Sequence, residues 1–218
     1  VLGELAAFIR GATMLSEYKS LGCNYWDANA LAWAANAGKL PKDIKVGKVY
    51  GAQWRKWGRT EKDQLAELIK NLRDDPFSRR HLLTTYNPEE LWLACLPPCH
   101  LLAQFNVTSD GYLDCAVTMR SVDLMLGLPA DVVLYASLLI LIAAHTALKP
   151  GTLTFMLGDT HVYDNHIKTW NDQQHGFPAY PAPTWELSGF GNILSFVPDD
   201  LELLNYQHGE KIDYTFNV

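Results

Sequence analysis

Disulfide chemistry has little to build on in this chain: its four cysteines, Cys23, Cys95, Cys99 and Cys115, form no CxxC pair and no regular framework. With no secretory leader ahead of the first, free thiols in a reducing, cytoplasmic compartment are the expectation. Positive charge is scarce too. Lys and Arg total 18 against 24 Asp and Glu, for a formal charge of −6, and counterion release from a nucleic acid requires a basic surface. No nucleic-acid partner is therefore expected, although a few clustered arginines can still hold a small anion. Nor is there an uninterrupted apolar run of the ~20 residues that a membrane-spanning helix needs. The stretch 132–147 carries Tyr135, Ser137 and His145 and reads as a helix buried on all sides, with no membrane partner. Internal repeats and low-complexity linkers are also missing. With 218 residues, 48% of them hydrophobic, the chain can bury one substantial core, so a single domain over 1–218 is expected.

The opening LGELAAFIRG places Leu2, Leu5, Ala6 and Ile9 on one stripe before Gly11, the pattern of a helix stopped by glycine. That stripe is already under way at Val1, so a native segment upstream of it is expected. Leu65, Leu68, Ile69 and Leu72 predict a helix over 62–72 that ends at Asp74-Asp75-Pro76. From His81 onward the texture changes. HLLTTYN, LLAQFNVTS, YLDCAVTMRS and LTFMLGD are short runs rich in β-branched and aromatic residues, bounded by Pro, Gly, Asn or Asp, and read as strands. A helix over 132–148 lies between two of them, with Asp131 as its N-cap, and another is expected to start near His161. ILSFV and LELLNY return to strand texture after Pro178. Together these make an α+β domain with a mixed or mostly antiparallel β-sheet covered by helices.

Cys99 stands in LPPCH, where two prolines fix φ and restrict the residues before them, so the thiol is expected on a rigid entry into the strand around Gln104 and Phe105. On neighbourhood alone it reads more simply as a buried, inert cysteine. Arg79-Arg80, after the Asp75-Pro76 turn, and Arg120-Ser121, at the end of YLDCAVTM, offer guanidinium forks suited to a phosphate monoester, though a double arginine is also an ordinary solvated face. His161 and Tyr163 in GDTHVYDNH read either as ligands or as a helix start.

LGELAAFIRG, WDAN, VYGAQWRKWG, DQLAELIKNLRDDPFSRR, LPPCHLLAQF, MRSVDLMLGLP and LGDTHVYDNHI resemble the motifs of the thymidylate synthase family in order and approximate spacing, over nearly the whole chain. Only that family's N-terminal arginine loop has no counterpart. The resemblance implies a thymidylate synthase-like fold, a homodimer, a pyrimidine deoxynucleoside monophosphate as substrate, 5,10-methylenetetrahydrofolate as co-substrate, and no metal. It matches Cys99 to the nucleophile that adds to C6 of the pyrimidine, and Arg120 with Ser121 to the residues holding the 5′-phosphate and supporting the thiolate. Arg79 and Arg80 match a pair supplied to the other subunit's phosphate site, and His161 and Tyr163 match contacts to the deoxyribose 3′-hydroxyl. Glu4, Trp26, Tyr50 and His100 match proton-relay and folate-contact positions, and Asp123 the carboxylate on the pterin ring.

The chain departs from the family where LGLPFN becomes LGLPAD, which puts Asp131 in place of an asparagine that reads the base. That asparagine amide donates to O4 and accepts from N3–H of uracil, whereas a carboxylate only accepts. Asp131 therefore suits the exocyclic amine and protonated N3 of cytosine, and it is also a good helix N-cap. Met119, where the family carries Gln, points the same way: both positions resemble the deoxycytidylate hydroxymethylases of phages, and a phage origin would fit. WDAN and PPCH stay closer to thymidylate synthase. The expected activity is 5-hydroxymethylation of dCMP, ahead of 5-methylation of dCMP and of dUMP methylation. A nucleotide- or RNA-binding protein on the same fold is disfavoured, since binding alone needs no nucleophile.

Overall fold

The structure is a computed structural model that describes residues 1–37, 44–173, 180–189 and 191–217. Its centre is a four-stranded mixed sheet of β1 (Leu82–Thr84), β2 (His100–Val107), β3 (Tyr112–Asp123) and β4 (Lys149–His161), in that spatial order. β1–β2 and β2–β3 are antiparallel, while β3 and β4 run parallel. A parallel pair needs a crossover, and the long apolar helix of residues 127–145 supplies it. Five helices precede the sheet: α1 (Leu2–Arg10), α2 (Leu15–Ser20), α3 (Asp27–Asn36), α4 (Tyr50–Arg55) and α5 (Gln64–Asp74). The crossover is α6 (Gly127–His145); α7 (Ile167–Gln173) and a two-stranded ribbon, β5 (Thr184–Leu187) with β6 (Leu201–Leu204), follow.

Alternation along β3 turns Leu113, Cys115, Val117 and Met119 into the core, against α6 residues such as Leu134, Leu138 and Ile142. The same inward row continues as Ser121 and Asp123, so the end of β3 presents polar groups where its middle presents packing. In β2 the register slips between His100 and Leu102. This bulge leaves His100 buried along with Ala103, Phe105 and Val107. α4 lies directly on α1, because a Cβ at Gly51 would meet the Phe8 backbone at 2.1 Å. That close approach puts Tyr50 next to Phe8 and Trp26.

Several boundaries move from the expected ones. α1 ends as anticipated, at Gly11 with φ 69°. α5 starts at Gln64, capped by Asp63, whose carboxylate accepts from the Ala66 N–H. α6 begins at Gly127, five residues before the expected start, so Asp131 is not its N-cap. Two causes act: Asp123 Oδ1 accepts from the N–H groups of Met125 at 2.9 Å and Leu126 at 3.4 Å, and Pro129 falls in the first turn, where its missing N–H costs nothing. β4 ends on His161, and the helix expected near it starts three residues later, as a 3-10 turn over Asp164–His166 that leads into α7 at Ile167. ILSFV is a 3-10 turn over Ile193–Ser195 and not a strand, because the Asn192 side chain accepts from Leu194 N–H and closes it. By length and composition α6 could cross a membrane, yet eight of its residues are buried in the protein's own core.

Candidate active site

A cleft of about 470 Å³ opens between α1, α3, α4 and the ends of β2, β3 and α6. Cys99, His100, Glu4, Trp26, Tyr50, Ser121, Asp123, Asp131 and Tyr163 all line it. Five elements, α1, α4, β2, β3 and α6, and the loops that hold Trp26, Cys99 and Tyr163 thus deliver the residues that the sequence singled out. No Lys or Arg is among the described lining residues.

Cys99 sits between Pro98 and the first residue of β2 and is held on both sides. Its N–H donates to Tyr50 Oη at 3.0 Å, and its carbonyl accepts from Arg120 N–H at 2.8 Å. The two prolines before it have no N–H but offer carbonyls. Arg120 takes both, donating from Nε to Pro98 at 2.9 Å and from Nη2 to Pro97 at 2.8 Å. The guanidinium is thereby fixed beside the Cys99 loop while the residue stays exposed. Burial, assisted by Asp131, pushes the Cys99 thiol up from its ordinary value, against Arg120 and the Tyr50 hydroxyl, which pull it down.

His100 is 5% exposed and joins the Cys99 loop to the α6 wall of the cleft. Its Nε2 lies 3.0 Å from Asp131 Oδ1 and its Nδ1 lies 3.2 Å from Tyr135 Oη. A carboxylate only accepts, so the hydrogen belongs on Nε2, and Nδ1 accepts from the Tyr135 hydroxyl. The ring also packs on Tyr50 at 4.5 Å between centroids. Asp131, released from capping, is thus orientated by a buried imidazole and faces the cleft. Tyr50 keeps its phenolic proton, because burial lifts its pKa well above the ordinary value.

Glu4 receives the Trp26 Nε1–H at 2.8 Å on Oε1. Burial raises its pKa to about 7; the Trp26 bond opposes the rise and the Asp131 charge adds to it. Between the ordinary 4.5 and about 7, native Glu4 keeps a proton that the unfolded chain releases, so stability falls as pH rises through that window. Glu4→Gln retains the acceptor for Trp26 without the charge. Its unfolding free energy should pull ahead of wild type between about pH 5 and about pH 8, by at most roughly 3 kcal/mol, and its melting temperature should rise with it. Parallel stability curves for the two proteins would contradict the raised pKa.

Asp123 commits Oδ1 to the start of α6, as described above, and no described group bonds its second oxygen. His161, paired with Asp123 in the β3–β4 register, packs its ring edge-on to Tyr163 at 5.0 Å and its Nδ1 lies 3.4 Å from an Asp159 carboxylate oxygen. It borders the cleft without lining it. Arg79 and Arg80 are exposed and lie outside the cleft. Among the described residues no group of three or more His, Cys, Asp or Glu could hold a metal ion.

The cleft also contains residues to which the motifs assigned no role: Tyr25, Asn29, Leu96 and Ala130, and Tyr214, Phe216 and Asn217 from the end of the chain. The last three are brought in by His166, whose buried Nε2 lies 2.7 Å from the Thr215 carbonyl, with Tyr163 and Tyr214 packed against its ring. The alternation of Tyr214 and Phe216 was the only signal available for that tail, and it does not specify a partner.

The family model for thymidylate synthase matches residues 1–218. The chain is 35% identical over 232 residues to the bifunctional dihydrofolate reductase-thymidylate synthase of Glycine max, covering all of this chain and 43% of that protein. It thus spans less than half the length of this curated relative. The crystal structure of thymidylate synthase from T4 phage matches with a TM-score of 0.88 at 32% identity, over all of this chain and 81% of that one.

Proposed function

Because the chain belongs to the thymidylate synthase family, we propose that it transfers a one-carbon unit to C5 of a pyrimidine deoxynucleotide, with dCMP as substrate and 5-hydroxymethyl-dCMP as product. The observation that carries this reading is the placement of Cys99 and Asp131 in one cleft, joined through His100, with Arg120 fixed beside the thiol. C5 of a pyrimidine is a poor nucleophile. Addition of the Cys99 thiolate to C6 gives the ring carbanion character at C5. Arg120 and the Tyr50 hydroxyl favour that thiolate against the cost of burial. 5,10-Methylenetetrahydrofolate, when bound, supplies the one-carbon electrophile. Trp26 and Tyr25 offer it aromatic faces and Asp123 an uncommitted carboxylate oxygen, which fits a flat, hydrogen-bonding ring. Glu4, with a pKa near 7, is suited to move protons at neutral pH.

Asp131 supports cytosine over uracil. Fixed by His100 on Oδ1, it accepts from an exocyclic amine and a protonated N3, and it repels O4 of uracil. Release of tritium from C5 of labelled dCMP in the presence of methylenetetrahydrofolate tests the activity. No release from dCMP or dUMP would mean a protein that only binds. Release from dUMP alone would support the second reading, dUMP methylation as a thymidylate synthase, the activity for which both relatives are named. The family supports a homodimer, and Arg79 and Arg80, exposed and outside the cleft of their own subunit, suit the phosphate in the other. The exposed outer face of the sheet, where Met156 is 59% exposed, is available to such a partner. Mixing an inactive Cys99→Ser subunit with an inactive Arg79/Arg80 double variant should then restore activity, since each hybrid dimer holds one intact site. No recovery after verified subunit exchange would confine these arginines to their own surface.

A further inference from the structure

Asn29 is the one polar residue on the buried face of α3, alongside Ala30 and Ala34, and is 9% exposed. It lines the cleft one turn after Trp26, among Phe8, Tyr25, Trp26 and Leu96. Its amide makes no side-chain hydrogen bond among the described residues. No amide atom of Asn29 is among the buried atoms left without a partner, so the amide opens into the cleft, where a guest can bond it. Glu4 lines the same cleft. Its Oε1 receives the Trp26 indole N–H, and no described group bonds Oε2. An amide and a free carboxyl oxygen give a water molecule the polar partners it needs.

We propose that Asn29 is a positioning residue that, with Glu4, holds the water that adds to the exocyclic methylene at C5 of the Cys99-bound nucleotide. This rests on the hydroxymethylation reading above and deepens it. The water oxygen forms a bond to the methylene carbon, and the electron pair of that double bond moves into the ring. The water proton passes to the Glu4 carboxylate. The ring electrons then restore the C5–C6 double bond, the C6–S bond breaks, and Cys99 leaves as thiolate. No oxidant or reductant takes part. A leucine at position 29 would leave the water with one partner, whereas a longer amide keeps the donor and acceptor.

The same step run backwards needs no folate. Incubating the protein with 5-hydroxymethyl-dCMP in heavy-oxygen water should exchange the hydroxymethyl oxygen with solvent, as read by mass. Asn29→Leu should slow this exchange by about 10²-fold, the scale of a mispositioned reactant. Tritium release from dCMP with methylenetetrahydrofolate, which precedes water addition, should stay within a few-fold of wild type and shows that the variant folds. Asn29→Gln should recover much of the exchange. Exchange unchanged in Asn29→Leu, or exchange and tritium release falling together, would overturn the assignment. So would a raised KM for the folate with exchange intact, which would make Asn29 a folate contact. Wild-type protein that releases tritium but neither exchanges oxygen nor forms a hydroxymethyl product overturns the hydroxymethylation reading itself, and is recognised without any variant.

Discussion

Cys99→Ser should lower turnover by ~10⁴-fold or more while leaving nucleotide affinity within a few-fold of wild type. A serine hydroxyl is far less acidic than a thiol, and the groups that favour the thiolate, Arg120 and the Tyr50 hydroxyl, are not bases that could ionise it. Arg120 would still be anchored by the Pro97 and Pro98 carbonyls, and the Tyr50 hydroxyl would still accept from the backbone N–H. The loop therefore keeps its shape, and binding survives the loss of the nucleophile. Affinity measured by calorimetry, together with the rate of tritium release, separates the two effects. A variant that keeps more than a small fraction of the wild-type rate would remove Cys99 from the chemistry.

Motifs around the cleft were legible because their residues are clustered in sequence: LPPCH alone carries the thiol, the two carbonyls that seat Arg120, and His100. What the sequence hid were relations between distant segments. The link from His100 to Asp131 depends on a bulge after His100 and on α6 starting at Gly127. Asp131 ahead of an apolar run has the chemistry of a cap, and nothing in that pattern shows that the helix already starts at Gly127 with Pro129 in its first turn. Asp131 was accordingly expected as a cap, while Asp123 fills a related role from the end of β3. The tail around Phe216 reaches the cleft through a backbone carbonyl bonded to His166, which no side-chain pattern encodes. ILSFV has strand composition, yet a single Asn192 side chain suffices to close it into a turn.

Asp131→Asn is expected to move the preference between dCMP and dUMP by up to ~10⁴-fold, toward dUMP. The amide oxygen can still accept from His100 Nε2, as the carboxylate does at 3.0 Å, so the side chain should keep its orientation. What changes is the second atom, from acceptor to donor. Facing cytosine, an amide N–H meets the exocyclic amine, donor against donor; facing uracil, it finds O4. Each mismatched pair leaves buried polar groups unsatisfied, which is why a single atom carries so large an effect. Asp131→Ala separates this from a loss of packing, since it should weaken dCMP use without a comparable gain on dUMP.

The central claim, that this cleft is built for cytosine, is tested most directly by kcat/KM of the wild-type protein for dCMP and for dUMP with methylenetetrahydrofolate, each product identified by mass. We predict a large preference for dCMP with a 5-hydroxymethyl product. A preference for dUMP would contradict it, leaving Asp131 as no more than a partner for His100 and the protein as a methylating thymidylate synthase.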